Sequence, residues 1–251
     1  MKLTEYRIKN ENFKKSYTVA LVSDLHGSPT DEAIDILSRV EPDVILAAGD
    51  IFERLDGTRD AENEAGFTLL SASSKIAPTF YSYGNHELGG TRSWLPKKRN
   101  EKKEFTISER NAKRLEATGV RILDDEYVVF GGIAFGGMRS GAINEGRAPR
   151  LSWLDDFCRE NAPKVLICHH PEYFEKYLLN KNIDLIVSGH AHGGQWRFFG
   201  RGVFAPGQGI FPKYTSGVYE NRLVVSRGMK KARKIPRIFN PTEVVIIKIN
   251  G

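Results

Sequence analysis

All six histidines of this 251-residue chain, at positions 26, 86, 169, 170, 190 and 192, stand just beyond a short apolar run. Residues 17–23 (YTVALVS) lead into Asp24-Leu25-His26, and 43–48 (DVILAA) into Gly49-Asp50. Residues 79–83 (TFYSY) lead into Gly84-Asn85-His86, 164–168 (KVLIC) into His169-His170-Pro171, and 183–188 (IDLIVS) into Gly189-His190-Ala191-His192. Runs of this length and composition read as strands buried on both faces. In open α/β sheets the carboxyl ends of such strands border one crevice, where ligands bind. Five strand ends then deliver carboxylates from Asp24 and Asp50, an amide from Asn85 and several imidazoles to one place. Oxygen and nitrogen donors without thiolate suit Mn²⁺, Fe or Zn²⁺ and argue against copper(I) or iron–sulfur clusters. Each motif alone is weak, since Asp-x-His also serves as a cap or surface pair and Gly-Asn-His as a turn. Their common placement carries the reading.

The elements that must hold these residues follow from the segments between them. Thr30 or Asp31 can cap a helix on which Ile34, Leu37 and Val40 recur, and 60–75 carries Phe67 and Leu70. Ser108 can cap a helix through Ala117 that Gly119 ends, and Ser152, with Asp155 three residues on, opens 154–161. Pro171 suits the first turn of a helix through Leu179. Strands alternating with helices imply a mainly parallel arrangement with crossovers. Residues 120–136 and 217–226, with turns at Asp124-Asp125, Gly131-Gly132 and Glu220-Asn221, read as antiparallel hairpins, as does a last strand over 242–249. The expected fold is α/β, a four-layer α-β-β-α sandwich with two mixed β-sheets, in a single domain spanning residues 1–251.

Composition bounds the rest. Apolar residues make up 40% and charged residues 27%, as in ordinary folded proteins. The longest apolar runs fall far short of the roughly 20 residues that span a bilayer, and the N-terminus has no apolar core of a secretory signal. The expected address is cytoplasmic, with a peripheral place at a membrane left open. Cys158 and Cys168 form no C-x-x-C pair and read as reduced, buried thiols. A formal net charge of +6 favours anionic partners without choosing among them. No aromatic-interleaved basic groove marks specific nucleic-acid binding.

The ordered set Asp24-x-His26, Gly49-Asp50, Gly84-Asn85-His86-Glu87, His169-x-Pro171 and Gly189-His190-x-His192 resembles the calcineurin-like metallophosphoesterase superfamily. The run Gly189-His190-Ala191-His192-Gly193-Gly194-Gln195 is similar to a bacterial branch of it. The resemblance implies two transition-metal ions, Mn²⁺ foremost with Fe or Zn²⁺ as alternatives. It gives one ion Asp24, His26 and His192, the other Asn85, His169 and His190, and makes Asp50 the bridge. The family pattern places the ligand two residues before Pro171, hence His169 rather than His170. Hydrolysis of a phosphoester, most simply a phosphodiester, by water activated between the ions is implied, with His86 as general acid or stabiliser of the transition state. Glu53, three residues past Asp50, is the candidate to orient His86 or else a solvated loop acid.

Substrate choice is less legible. Gln195 and Arg201 follow the last motif and are candidates to touch substrate. The basic stretch 88–105, with Trp94-Leu95-Pro96 inside it, reads as a solvated loop, a lid, or a foot on acidic lipid. Lys230, Lys231, Arg233, Lys234 and Arg237 form a second basic cluster. Three functions compete on this basis. They are an esterase for a small phosphorylated molecule, a membrane-surface hydrolase of a lipid-linked nucleotide-sugar pyrophosphate, and a non-catalytic metal-binding module.

Overall fold

In the computed structural model, residues 1–88, 106–140, 149–206, 208–231 and 236–251 are described. The basic stretch 88–105 beyond Leu88, and Arg233 and Lys234 of the second cluster, lie outside them. The five anticipated strands are present: β2 (Tyr17–Val22), β3 (Val44–Ala48), β4 (Thr79–Ser82), β8 (Lys164–Cys168) and β9 (Leu185–Ser188). The first sheet adds β1 (Lys2–Lys9), β5 (Arg121–Ile122) and β16 (Glu243–Asn250), in the order β1-β16-β2-β3-β4-β5. The second adds β6 (Glu126–Phe130), β7 (Ile133–Met138), β14 (Gly217–Tyr219) and β15 (Leu223–Val225), in the order β14-β15-β9-β8-β7-β6. Each sheet mixes parallel and antiparallel pairs.

The continuous apolar runs are explained by burial on both sides. Along β3, Val44, Leu46 and Ala48 face the core between the sheets, while Ile45 and Ala47 face the helices outside. Along β8, Val165 and Ile167 point inward and Leu166 and Cys168 outward. Phe80 of β4 stacks on Phe135 of β7 with ring centroids 4.3 Å apart, joining the two sheets. Helices α1 (Asp31–Val40), α2 (Asp60–Ile76) and α3 (Glu109–Ala117) cover the first sheet, and α4 (Leu154–Arg159) with a π-helical turn at Phe174–Leu178 covers the second. The result is the expected four-layer α-β-β-α sandwich.

Several local expectations shift. Ser108 does cap α3, its hydroxyl accepting from the Asn111 amide, but α4 begins from Trp153 rather than Ser152 and is shorter than anticipated. The helix expected after Pro171 is the π-helical turn. Residues 120–136 are not one hairpin: Arg121 and Ile122 pair parallel with β4 in the first sheet, and only β6 and β7 form a hairpin, in the second. The last strand belongs to no hairpin either. It lies between β1 and β2, parallel to the first and antiparallel to the second, with seven of its eight residues wholly or largely buried. Cys168 is buried as expected, whereas Cys158 is half-buried, and both are free thiols.

Candidate metal centre

Strands β2, β3 and β4 run parallel and adjacent in one sheet, β8 and β9 in the other, and the sheets face one another. Their carboxyl ends therefore open on one edge, and the loops leaving them carry every motif named above. Four overlapping groups of donors form there among the described residues, two of them being His26 with Glu53 and His86, and His170 with Glu172 and His190. In the other two clusters, Asp24, His26 and His192 bring one ligand atom each within 4.8 Å of one another, and so do Asp50, His169 and His190. Asp50 stands between these two clusters. Its Oδ2 lies 3.3 Å from His169 Nε2 and 3.4 Å from His26 Nε2. Asn85 is buried in the loop after β4, and the next amide, of His86, donates to Asp50 Oδ1 over 2.8 Å.

The backbone that supports this arrangement is not ordinary loop. Asp24, His26, Asp50, His190 and His192 all have positive φ, between 47° and 65°. That region is sparsely populated by residues with a Cβ, and such outliers gather at functional sites where surrounding contacts over-determine them. The contacts here cross between loops. The Asp24 amide donates to Gly49 O (3.0 Å), the Leu25 amide to Asp50 O (2.9 Å), and the His190 amide to the Asp24 carboxylate (2.9 and 3.1 Å). Two glycines permit the close approach. A Cβ on Gly84 would overlap the Asp50 carboxylate, and one on Gly189 would overlap Asp24.

Orientation of the imidazoles is set from behind. His169 Nδ1 donates to the Ala48 carbonyl over 2.7 Å, which turns Nε2 toward Asp50. Glu53 serves two rings at once: His26 Nδ1 donates to Oε1 (3.1 Å) and His86 Nδ1 to Oε2 (2.9 Å). Both Nε2 atoms are thereby aimed at Asp50 Oδ2, that of His86 from 3.9 Å. Burial would raise the Glu53 carboxyl, but hydrogen bonds from His26 and His86 outweigh it and hold the group far below its ordinary range. Glu53 is thus no solvated loop acid.

The electrostatics fit a cation. Burial holds His26, His190 and His192 below the ordinary imidazole value, in the neutral form whose lone pair can bind metal. Burial acts the same way on His169, yet the Asp50 carboxylate with Asp24 behind it pushes that ring up to about 10. The site's own carboxylates therefore draw in positive charge. His26, His169, His170 and His190 also keep buried Nε2 atoms without a hydrogen-bond partner, a costly state that a metal ion relieves for those rings that bind it.

The sequence assigns no role to two contributors. Glu87 is buried and accepts from the amides of Asp50 (3.0 Å), Phe52 (3.0 Å) and Gly84 (2.9 Å) and from the Tyr81 hydroxyl (2.8 Å). Burial, with Asp50 nearby, raises its carboxyl to about 7. It ties the loop after β3 to the loop after β4; only its place at the end of Gly84-Asn85-His86-Glu87 hinted at this. Arg237 reaches in from the C-terminal region, with Nη2 3.5 Å from His192 Nδ1 and donating to Arg227 O over 2.9 Å. Its Nη1 is buried without a partner. Arg201, the guanidinium suggested by the sequence, is instead exposed on a small hairpin. His170 is fully buried behind the second cluster, its ring 4.1 Å from His190 and its Nδ1 3.2 Å from Glu172 Oε1.

Fold and donor geometry point to one class, and the comparison with known proteins names it. The family profile of calcineurin-like phosphoesterases matches residues 17–194, and the chain belongs to that family. The metallophosphoesterase Cj0846 of Campylobacter jejuni is 26% identical over 96% of this chain and 61% of its own length. A metallophosphoesterase of Aquifex aeolicus is 24% identical over 100% of this chain and 92% of its own. A Caenorhabditis elegans protein named for the same activity is 25% identical over 92% of this chain, which spans 48% of it. The chain thus spans about half to three-fifths of two of these relatives. Among the described residues, no helix is long and apolar enough to cross a membrane.

Proposed function

We propose that this chain is a phosphoester hydrolase working with two transition-metal ions, Mn²⁺ foremost, on a phosphodiester. Asp24, His26 and His192 would hold one ion and Asn85, His169 and His190 the other, with Asp50 shared. The observation that carries the reading is the position of Asp50 Oδ2, within 3.4 Å of imidazole nitrogens from both clusters. A shared carboxylate is the simplest way to offset the repulsion between two cations about 3.5–4 Å apart. When bound, such a pair supplies Lewis acidity toward phosphate oxygens and lowers the pKa of water held there.

The chain's own groups do the rest. His86, held by Glu53 and aimed at the centre, donates a proton to the departing oxygen. Burial opposes its charging, but the Asp50 and Glu53 carboxylates raise its pKa above the ordinary value. Arg237, with an unsatisfied N–H beside His192, binds a non-bridging phosphate oxygen. Glu53 and the Ala48 carbonyl fix which nitrogen of each ring faces the centre.

The test is a panel of p-nitrophenyl phosphate, bis(p-nitrophenyl) phosphate and a nucleotide pyrophosphate, assayed after reconstitution with Mn²⁺, Fe²⁺ or Zn²⁺. Turnover should be highest on the diester and should vanish in Asp50→Asn. Protein that binds metal yet turns over none of the three, or Asp50→Asn at wild-type rate, overturns the reading.

A further inference from the structure

Past His192 the chain makes two small hairpins, β10 (Arg197–Phe198) with β11 (Arg201–Gly202) and β12 (Phe204–Ala205) with β13 (Gly209–Ile210). A third projection follows at Ile238-Phe239, laid beside the first by a bridge between Trp196 and Ile238. Each carries an exposed phenylalanine: Phe199 at the turn of the first hairpin, Phe211 just past β13 at the base of the second, and Phe239 next to Ile238. Phe199 has a relative exposure of 105%, and Phe211 and Phe239 have 78% each. All three have positive φ, near 50°. These strained positions hold large apolar rings mostly out in water, where they cost stability. Phe198 and Phe239 approach edge to face at 6.1 Å, so the first and third projections form one surface. The second is tied to the first where the Phe211 amide donates to Val203 O over 2.8 Å.

The charge of this stretch is one-sided. Between His192 and Glu243 the sequence has ten Lys and Arg residues against a single acid, Glu220. The remainder of the chain has 27 basic and 30 acidic residues, so the net +6 comes wholly from this stretch. Arg201 lies opposite Phe198 in its hairpin; Lys213, two positions past Phe211, pairs with Glu175, and Lys231, which shares a surface cleft with Phe239, pairs with Glu32, so the excess positive charge rests on Arg201 and the rest of the stretch. Exposed rings amid an excess of positive charge match the interface of an anionic bilayer, where rings enter the headgroup layer and cations meet lipid phosphates.

The surface is coupled to the centre. Asn240, next to Phe239, donates through Nδ2 to His192 O (2.7 Å) and Gln195 O (3.1 Å), and Arg237 lies two residues before Phe239. We propose that Phe199, Phe211 and Phe239, with their basic surround, seat this edge of the molecule on anionic membrane and present the metal centre to a phosphoester or pyrophosphate carried on a lipid. The substrate half rests on the phosphoesterase reading; the docking half does not.

Flotation of the full chain with vesicles separates them. Phosphatidylcholine vesicles with about a third phosphatidylglycerol should carry the protein upward, phosphatidylcholine alone should not, and added salt should weaken the binding. Changing Phe199, Phe211 and Phe239 together to Ser should lower the partition coefficient by about tenfold or more per ring. Turnover of soluble bis(p-nitrophenyl) phosphate by that variant should stay at the wild-type level, which also reports its folding. Absence of binding to anionic vesicles, or equal binding by the triple variant, overturns the docking proposal. So does a concentration-dependent dimer, seen by light scattering, that the triple variant abolishes, since the rings would then cover one another. Docking without turnover of any phosphoester leaves the surface standing and removes the phosphoesterase reading.

Discussion

The substitution Glu53→Gln isolates one carboxylate that serves both a proposed ligand and the proposed acid. His26 Nδ1 and His86 Nδ1 each donate to it, to different oxygens, at 3.1 and 2.9 Å. Their rings meet edge-on with centroids 4.3 Å apart, so neither can move without the other. Glutamine keeps the length of the side chain but has a single acceptor oxygen. At least one ring must then lose its bond, or take the tautomer that carries the proton on Nε2 and cannot ligate metal. A hydrogen bond to a charged group contributes about 1.5–3 kcal/mol. At about 1.4 kcal/mol per tenfold, the arm to His86 predicts a fall in kcat of roughly 10- to 150-fold. The arm to His26 predicts a metal affinity weakened by roughly 10- to 100-fold, as for other groups that orient a metal-binding histidine. The assay is a Mn²⁺ titration followed by steady-state turnover of bis(p-nitrophenyl) phosphate at each concentration. Loss at subsaturating metal that disappears on saturation would assign Glu53 to His26 alone. A titration superimposable on wild type, with kcat within about threefold, would refute the reasoning altogether.

Four further outcomes follow from the same geometry. His86→Ala should lower kcat on bis(p-nitrophenyl) phosphate by about 10²- to 10⁴-fold, the range for a positioned proton donor, and near-wild-type turnover would remove it from the mechanism. Arg237→Ala should act mainly on KM, raising it by roughly 10- to 100-fold for the loss of one charged hydrogen bond to phosphate, as initial-rate curves will show. Chelation should lower the melting temperature reversibly, because ions bound only by the folded state at about 100 times their Kd stabilise it by about 2.7 kcal/mol each. Calorimetry with and without EDTA, then with Mn²⁺ restored, measures this. Glu87→Gln leaves one acceptor oxygen where two now serve three amides and a tyrosine and turns an NH₂ toward the other donors, and should cost about 2–4 kcal/mol, seen as a lower midpoint in urea unfolding.

What could be read without coordinates was whatever the sequence encodes locally. An apolar run that stops at Gly, Asp or His marks a buried strand and the start of its loop, and five such junctions located the edge where the donors gather. The parts that escaped are those fixed by distant pairing. Strand β1 (KLTEYRIK) alternates exposed and partly buried residues and shows no continuous apolar run, because it lies at an edge. Strand β16 is apolar enough to be recognised as a strand, but nothing in it reveals that it separates β1 from β2. Arg121 and Ile122 form too short a strand for periodicity to report, and which sheet they join depends on β4 alone. The two-residue strands past His192 are invisible for the same reason, and with them the surface they build.

The centre itself shows why the least regular residues were the most readable by type and the least by conformation. Five proposed ligands stand in the left-handed region, which disfavours a side chain by about 1 kcal/mol or more per residue. No sequence rule would put Asp24, His26, Asp50, His190 and His192 there, and local preference alone would release them. They are retained because the loops grip one another through Asp24 to Gly49, Leu25 to Asp50, His190 to Asp24, His86 to Asp50 and His192 to Asn240. Each of these contacts joins loops leaving different strands, or the last loop to the C-terminal segment; those among Asp24, Leu25, Gly49, Asp50 and His86 lie within the first sheet, and His190 to Asp24 closes the second sheet onto it. The chemistry is thus named by residue types that any reader can see, while its geometry is a property of the closed sandwich.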